Sequence, residues 1–175
     1  MTTANLIRNR AVRNDKYYTP ESLVRLHLSK LRGQPNGSII YEPFRGKGAY
    51  YNLFEEFFAG CRHEWSEIDD GRDFFDYRGE PDVIVSNPPF SQLERVLERC
   101  YELKPVIISF VLLQHAVTPC RIRKANEQGY YVADYHLTRV DRWFGVACVL
   151  TLSNEIRENI INFDCHKHVL SASQN

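Results

Sequence analysis

The spacing of apolar residues changes along the chain between helical and strand periods. Over residues 20–31, Leu23, Val24, Leu28 and Leu31 recur at helical spacing. Thr19 is placed to cap that helix with Pro20 as its first residue, and Gly33, Pro35 and Gly37 stop it. Ile39 and Ile40 mark a short strand over residues 38–42. Residues 49–59 carry aromatic and leucine positions on one side of a helix, and residues 62–68 read as a second strand. The run Asp82-Val83-Ile84-Val85-Ser86 is β-branched and reads as a buried strand. Residues 91–103 form an amphipathic helix with Leu93, Val96, Leu97, Cys100 and Leu103 inward, followed by a buried strand over 106–111. Thr118 caps a helix that starts at Pro119 and ends near Gly129, and residues 130–137 and 144–152 close the pattern as strands.

Strands alternating with helices at this spacing predict an α/β fold, a mostly parallel sheet with helices on both faces. Ligands of such sheets bind beyond the carboxyl ends of the strands, so the residues just after each strand carry the candidate chemistry.

A chain of 175 residues with 43% hydrophobic and 25% charged residues has the composition of one globular domain. We place that domain at residues 17–153, between a basic arm over 1–16 (Arg8, Arg10, Arg13 and Lys16 against Asp15) and a polar tail over 154–175. Lys plus Arg and Asp plus Glu number 22 each, which excludes a protein that coats nucleic acid by bulk charge. The charge is nonetheless segregated. Residues 64–82 are acidic, while Arg121, Arg123, Lys124, Arg139 and Arg142 form a basic stretch near the end. The longest apolar run, residues 106–113, is interrupted by Ser109 and is too short to span a bilayer, so no membrane association is expected. The five cysteines include no Cys-x-x-Cys pair, and residues 1–16 lack the apolar core of a secretory signal. Reduced thiols in a cytoplasm-like compartment follow, and no metal site is expected; Cys165-His166-Lys167-His168 reads as solvated tail.

Three strand ends stand out. After the first strand comes Glu42-Pro43-Phe44-Arg45-Gly46-Lys47-Gly48, whose two glycines permit a tight turn and close approach of backbone to a ligand. It lacks the third glycine of a dinucleotide fingerprint and the Gly-Lys-Ser/Thr end of a phosphate loop. After the second strand, Glu67-Ile68-Asp69 offers a carboxylate able to accept from a ribose diol, and Asp73-Phe74-Phe75 offers an acceptor for an exocyclic amine beside rings that can cover a purine. After the 82–86 strand comes Asn87-Pro88-Pro89-Phe90. Its prolines restrict their own and the preceding dihedrals, which makes a stiff acceptor pair of the Asn87 side-chain oxygen and the Pro88 carbonyl, beside the flat ring of Phe90. That set suits a planar substrate bearing an NH2 group.

In this order the segments resemble the class I S-adenosylmethionine-dependent amino-methyltransferases, the N6-adenine methyltransferases in particular, over about residues 17–151. The resemblance implies a Rossmann-like methyltransferase fold with S-adenosyl-L-methionine as cofactor. It makes Glu42-Pro43-Phe44-x-Gly46-x-Gly48 the methionine-binding loop, with Glu42 where the family usually has Asp. Tyr18, Thr19 and Pro20 become the segment that closes over the methionine end. Glu67 with Ile68 takes the ribose role, Asp73 with Phe74 the adenine role, and Asn87, Pro88, Pro89 and Phe90 form the catalytic motif. The stretch between Glu67 and Asn87 is compressed relative to longer members, and no insert of the size used for sequence recognition is present. The implied activity is methyl transfer to the N6 amine of a flipped-out adenine in DNA, within a reducing, nucleic-acid-containing compartment. Phe90, Trp143, Phe144 and Arg139 are then candidate substrate contacts. RNA adenine, a protein glutamine amide, and a cofactor-binding subunit without turnover are the alternatives, and a protein partner or a second copy of the chain is a candidate source of target recognition.

Overall fold

Six strands form one sheet: β1 (Ile39–Glu42), β2 (Arg62–Trp65), β3 (Val83–Ser86), β4 (Ile107–Leu113), β5 (Tyr131–Thr138) and β6 (Ala147–Ser153), in the order β2-β1-β3-β4-β6-β5. β1 pairs in parallel with β2 and β3, and β3 with β4, while β6 lies antiparallel between β4 and β5. All strands but β6 therefore run the same way, as the alternating pattern predicts. The computed structural model describes residues 19–141, 143 and 145–161. The arm over residues 1–16, Tyr17, Tyr18, Arg142, Phe144 and residues 162–175, with Cys165, His166 and His168, lie outside the described residues.

Side-chain alternation along the strands divides the core in two. Ile40, Val83, Val85, Val111, Ala147 and Val149 face α1 (Glu21–Ser29) and α2 (Phe54–Phe57), where Val24, Leu28, Phe54 and Phe58 are buried. Tyr41, Ile84, Ile108, Phe110, Leu112 and Leu150 face α3 (Leu93–Leu103) and α4 (Pro119–Glu127), where Leu93, Val96, Leu97, Cys100, Ile122 and Ala125 are buried. Every residue of β3 and β6 is buried, the polar Ser86, Thr151 and Ser153 included.

Several element boundaries differ from those predicted, each for a local reason. Pro20 rather than Thr19 holds the N-cap position of α1, and no side chain caps that end. The helix expected over 49–59 shrinks to a 3-10 turn at Tyr51–Leu53 followed by α2, because the glycine turn keeps the chain non-helical up to Tyr50. The strand expected over 62–68 stops at Trp65, since the Glu67 side chain accepts from Asp69 N and starts a 3-10 turn at Ile68–Asp70. A 3-10 turn at Phe90–Gln92 precedes α3. The last strand begins at Ala147, after Gly145 at φ +93. Thr118 caps α4 as predicted, its Oγ1 accepting from Arg121 N at 3.2 Å. Residues 154–161, read from sequence as the start of a loose tail, return to the sheet: Asn159 Oδ1 accepts from Val132 N at 2.8 Å and Ile160 N donates to Val132 O at 3.0 Å.

Candidate active site

The chain leaves β1 toward β2 on one side and returns to β3 on the other, so β1 and β3 flank a topological switch point. The segments after β1, β2 and β3 open on the same end of the sheet and enclose a cavity of about 680 Å3, within the range of ordinary small-molecule sites. Thr19, Glu42, Pro43, Phe44, Gly46, Glu67, Ile68, Asp73, Phe74, Asn87 and Pro89 all line it.

The β1 turn is held from several directions. Gly46 and Gly48 adopt φ +51 and +82, where a side chain is strained. Gly46 N donates to Glu67 Oε2 at 2.6 Å, so the acid after β2 is tied to the glycine turn, and Glu67 Oε1 lies 3.2 Å from Asp69 N. Arg45 donates to Asp70 Oδ2 at 3.1 Å and lies 4.2 Å above the ring of Trp65, with Arg72 at 4.0 Å from the same ring. Glu42 is 1% exposed at the base of the turn, and its Oε2 accepts from Tyr51 N at 2.8 Å. Burial pushes this carboxyl well above the usual carboxylate range, against the pull of the Tyr51 N–H and Arg45.

At the other end of the cavity, Asp73 Oδ1 accepts from Phe75 N at 2.9 Å and so caps a 3-10 turn at Phe74–Asp76. Phe44 and Phe75 pack on Phe74 with ring centroids 5.2 Å away. Ile68 is 69% exposed into this region, an unusual place for a large aliphatic side chain unless a flat apolar surface covers it. Asn87 lines the wall with its Oδ1 shielded from solvent, and Pro89 follows at φ −63.

Other predicted site residues sit around the cavity and do not line it, the buried Pro88 among them. Pro20 opens α1 and Gly48 supports the turn from behind. Phe90 packs partly on the α3 side of the core and meets Trp143 edge to face, with centroids 6.2 Å apart at 76°. Arg139 is exposed beyond β5. Tyr18 and Phe144 fall outside the described residues.

No family model matches the sequence, and no curated protein matches it. Solved structures do. Precorrin-6y C5,15-methyltransferase from Geobacter metallireducens aligns with a TM-score of 0.57 at 14% identity, over 78% of this chain and 89% of that one. TrmK from M. capricolum, solved with S-adenosyl-homocysteine, aligns at 0.59 and 8% identity, over 80% and 71%. TYW2 from M. jannaschii, solved with AdoMet, aligns at 0.54 and 11%, over 81% and 78%. This chain has the Rossmann-like methyltransferase fold.

Within that fold the sequence pattern missed several residues that line the cavity: Tyr50, Ser91, Gln92 and Arg95. Arg95 stands over the Phe75 ring at 3.7 Å. Its only sequence signal is its place on the polar side of α3, one turn after Asn87-Pro88-Pro89-Phe90. Among the described residues no helix is long and apolar enough to cross a membrane.

Proposed function

We propose that the chain is an S-adenosylmethionine-dependent methyltransferase acting on the N6 amine of adenine in nucleic acid, with DNA as the first substrate to test. The observation that carries this reading is the position of Asn87-Pro88-Pro89-Phe90. The motif leaves the carboxyl end of β3, and Asn87 enters the wall of the cavity that the β1 glycine turn also lines.

The residues present fit the cofactor. Buried Glu42 and the Thr19 hydroxyl supply oxygen atoms for an amino-acid end, Glu67 a carboxylate for a diol, and Ile68, Phe74 and Phe75 an apolar slot for a purine. When bound, S-adenosylmethionine supplies a methyl group activated by its sulfonium charge. The chain supplies position. Asn87 Oδ1, shielded from solvent in the wall, turns outward and accepts with the Pro88 carbonyl from the adenine amine, aiming its lone pair at the donor, and fixing two reactants in line lowers a barrier by roughly 7 kcal/mol or more. Flipping a base out of a duplex costs a few kcal/mol, and stacking on Phe90 returns about 1–3 kcal/mol. Phe90 and Trp143 meet edge to face, so Trp143 turns aside for a base to stack between them.

Digestion of DNA and RNA after incubation with labelled cofactor, followed by nucleoside analysis, tests the reading. We expect N6-methyldeoxyadenosine, abolished in Asn87→Ala while binding of S-adenosylhomocysteine persists. N6-methyladenosine alone redirects the substrate to RNA. Label in neither nucleic acid, with label appearing on protein glutamine, ends the adenine reading.

A further inference from the structure

One line of polar side chains runs from the cavity into the sheet, and past its first member it has no part in the scheme above. It begins at the half-buried Thr19, which lines the cavity beside Tyr50 with its side chain close enough to the phenol to influence its proton. The Tyr50 hydroxyl lies 2.9 Å from His27 Nδ1, His27 Nε2 lies 2.7 Å from Ser109 Oγ, and Ser109 Oγ lies 2.7 Å from Thr151 Oγ1. His27 and Ser109 are 0% exposed, Tyr50 1% and Thr151 5%. The line thus joins α1, the turn after β1, β4 and β6 through the apolar layer between helix and sheet.

Donor strength sets the direction of the protons. Burial, and then the positive charge of Lys30, holds the His27 pKa down at about 3, so the ring is neutral and has one donor and one acceptor nitrogen. An imidazole nitrogen accepts better than a hydroxyl does, and a phenol donates better than an aliphatic alcohol, so Tyr50 donates to Nδ1. Nε2–H then donates to Ser109, and the Ser109 hydroxyl to Thr151. The Tyr50 oxygen, its proton committed, accepts from Thr19. Each donor is used inward, and Thr19 is left with lone pairs facing the cavity. The carboxyl group of Glu42 lines the same region.

We infer that Tyr50 and His27 are positioning residues that turn the Thr19 hydroxyl into an acceptor for the primary ammonium of the bound S-adenosyl ligand, and so select ligands carrying an amino-acid end. The inference rests on the reading of the cavity as an S-adenosylmethionine site. Neither residue touches the ligand's ammonium in this scheme; both act through Thr19.

Calorimetry on the full chain with two probes tests it: S-adenosylhomocysteine, which carries the ammonium, and 5′-methylthioadenosine, which lacks it. Tyr50→Phe removes one hydroxyl and leaves the ring. We expect it to weaken S-adenosylhomocysteine about tenfold and to leave 5′-methylthioadenosine unchanged. His27→Gln, which keeps a donor and an acceptor, retains more of the preference than His27→Leu. Equal weakening of both probes means a purely structural role and overturns the inference, as does no weakening of either. Binding of neither probe by the unsubstituted protein overturns the site reading itself, and the inference falls with it. A second measurement needs no variant and no ligand: 15N chemical shifts of the His27 ring near neutral pH. An unprotonated Nδ1 with a protonated Nε2 is expected, and the opposite tautomer overturns the proton order whatever the probes do.

Discussion

At the scale of single residues, two buried titratable groups near the cavity respond to acid in opposite ways. His27 is neutral when folded, with its pKa at about 3 against an ordinary value of 6.5, chiefly through desolvation. As pH falls, the unfolded chain takes up this proton first, so the stability contributed by the neutral ring is complete above about pH 6.5 and is lost as pH falls toward 3. Denaturant unfolding over that window should show stability falling by at most about 1.4 kcal/mol per pH unit from this group, with a flatter profile in His27→Gln. Glu42 moves the other way, since burial raises its carboxyl. At a pH between its ordinary and raised values, a bound ammonium nearby draws it back down, so S-adenosylhomocysteine binding should release protons. Calorimetry in buffers of different ionisation enthalpy measures that release, and Glu42→Gln should reduce it. The residues at strand ends were legible because chemistry and local chain stiffness coincide there, as in Asn87-Pro88-Pro89 and Glu42 to Gly48. His27 and Tyr50 were not legible, because only the packing of α1 onto β4 brings residue 27 to residue 109.

At the scale of elements, the glycine turn is the piece with the least tolerance. A Cβ on Gly48 would stand 2.8 Å from Asn52 Oδ1 on a backbone at φ +82, whereas one on Gly46 meets nothing within 4 Å. Gly48→Ala should therefore cost more than the roughly 1–2 kcal/mol of a left-handed alanine, and Gly46→Ala about that amount, as read by thermal or denaturant unfolding. The elements that the sequence pattern predicted well are those whose signal is complete within themselves: β3 and β4 as apolar runs, α3 as an amphipathic stripe, and α4 with Thr118 and Pro119 at its start. The failures lie where a tertiary bond ends an element early. Glu67 caps its own turn and also holds Gly46, and residues 49 and 50 belong to the glycine turn rather than to a helix.

At the scale of the whole molecule, one cavity joins the ends of three strands with the start of α1, so a ligand there braces segments far apart in sequence. S-adenosylhomocysteine at one hundred times its dissociation constant should stabilise the fold by about 2.7 kcal/mol, a rise of roughly 5–10 °C in Tm for a chain of this size. Differential scanning calorimetry measures it, and no rise would count against the proposed ligand. Fold class was legible at this scale because strand and helix alternate at short, regular spacing. The placement of β6 between β4 and β5 was not, since nothing in a strand's own residues states which neighbour it will find.

That placement has a consequence for synthesis. β4 is buried along Ile108–Leu113, and the partner that pairs with it over its full length is the last of the described strands to leave the ribosome. Until β6 emerges, a nascent chain carries an apolar strand with one open edge, ready to pair with whatever edge it meets. Ribosome stalling or termination between β5 and β6 would leave a species prone to aggregate, and the protein's yield in a cell would then depend on how quickly translation passes from residue 138 to residue 153.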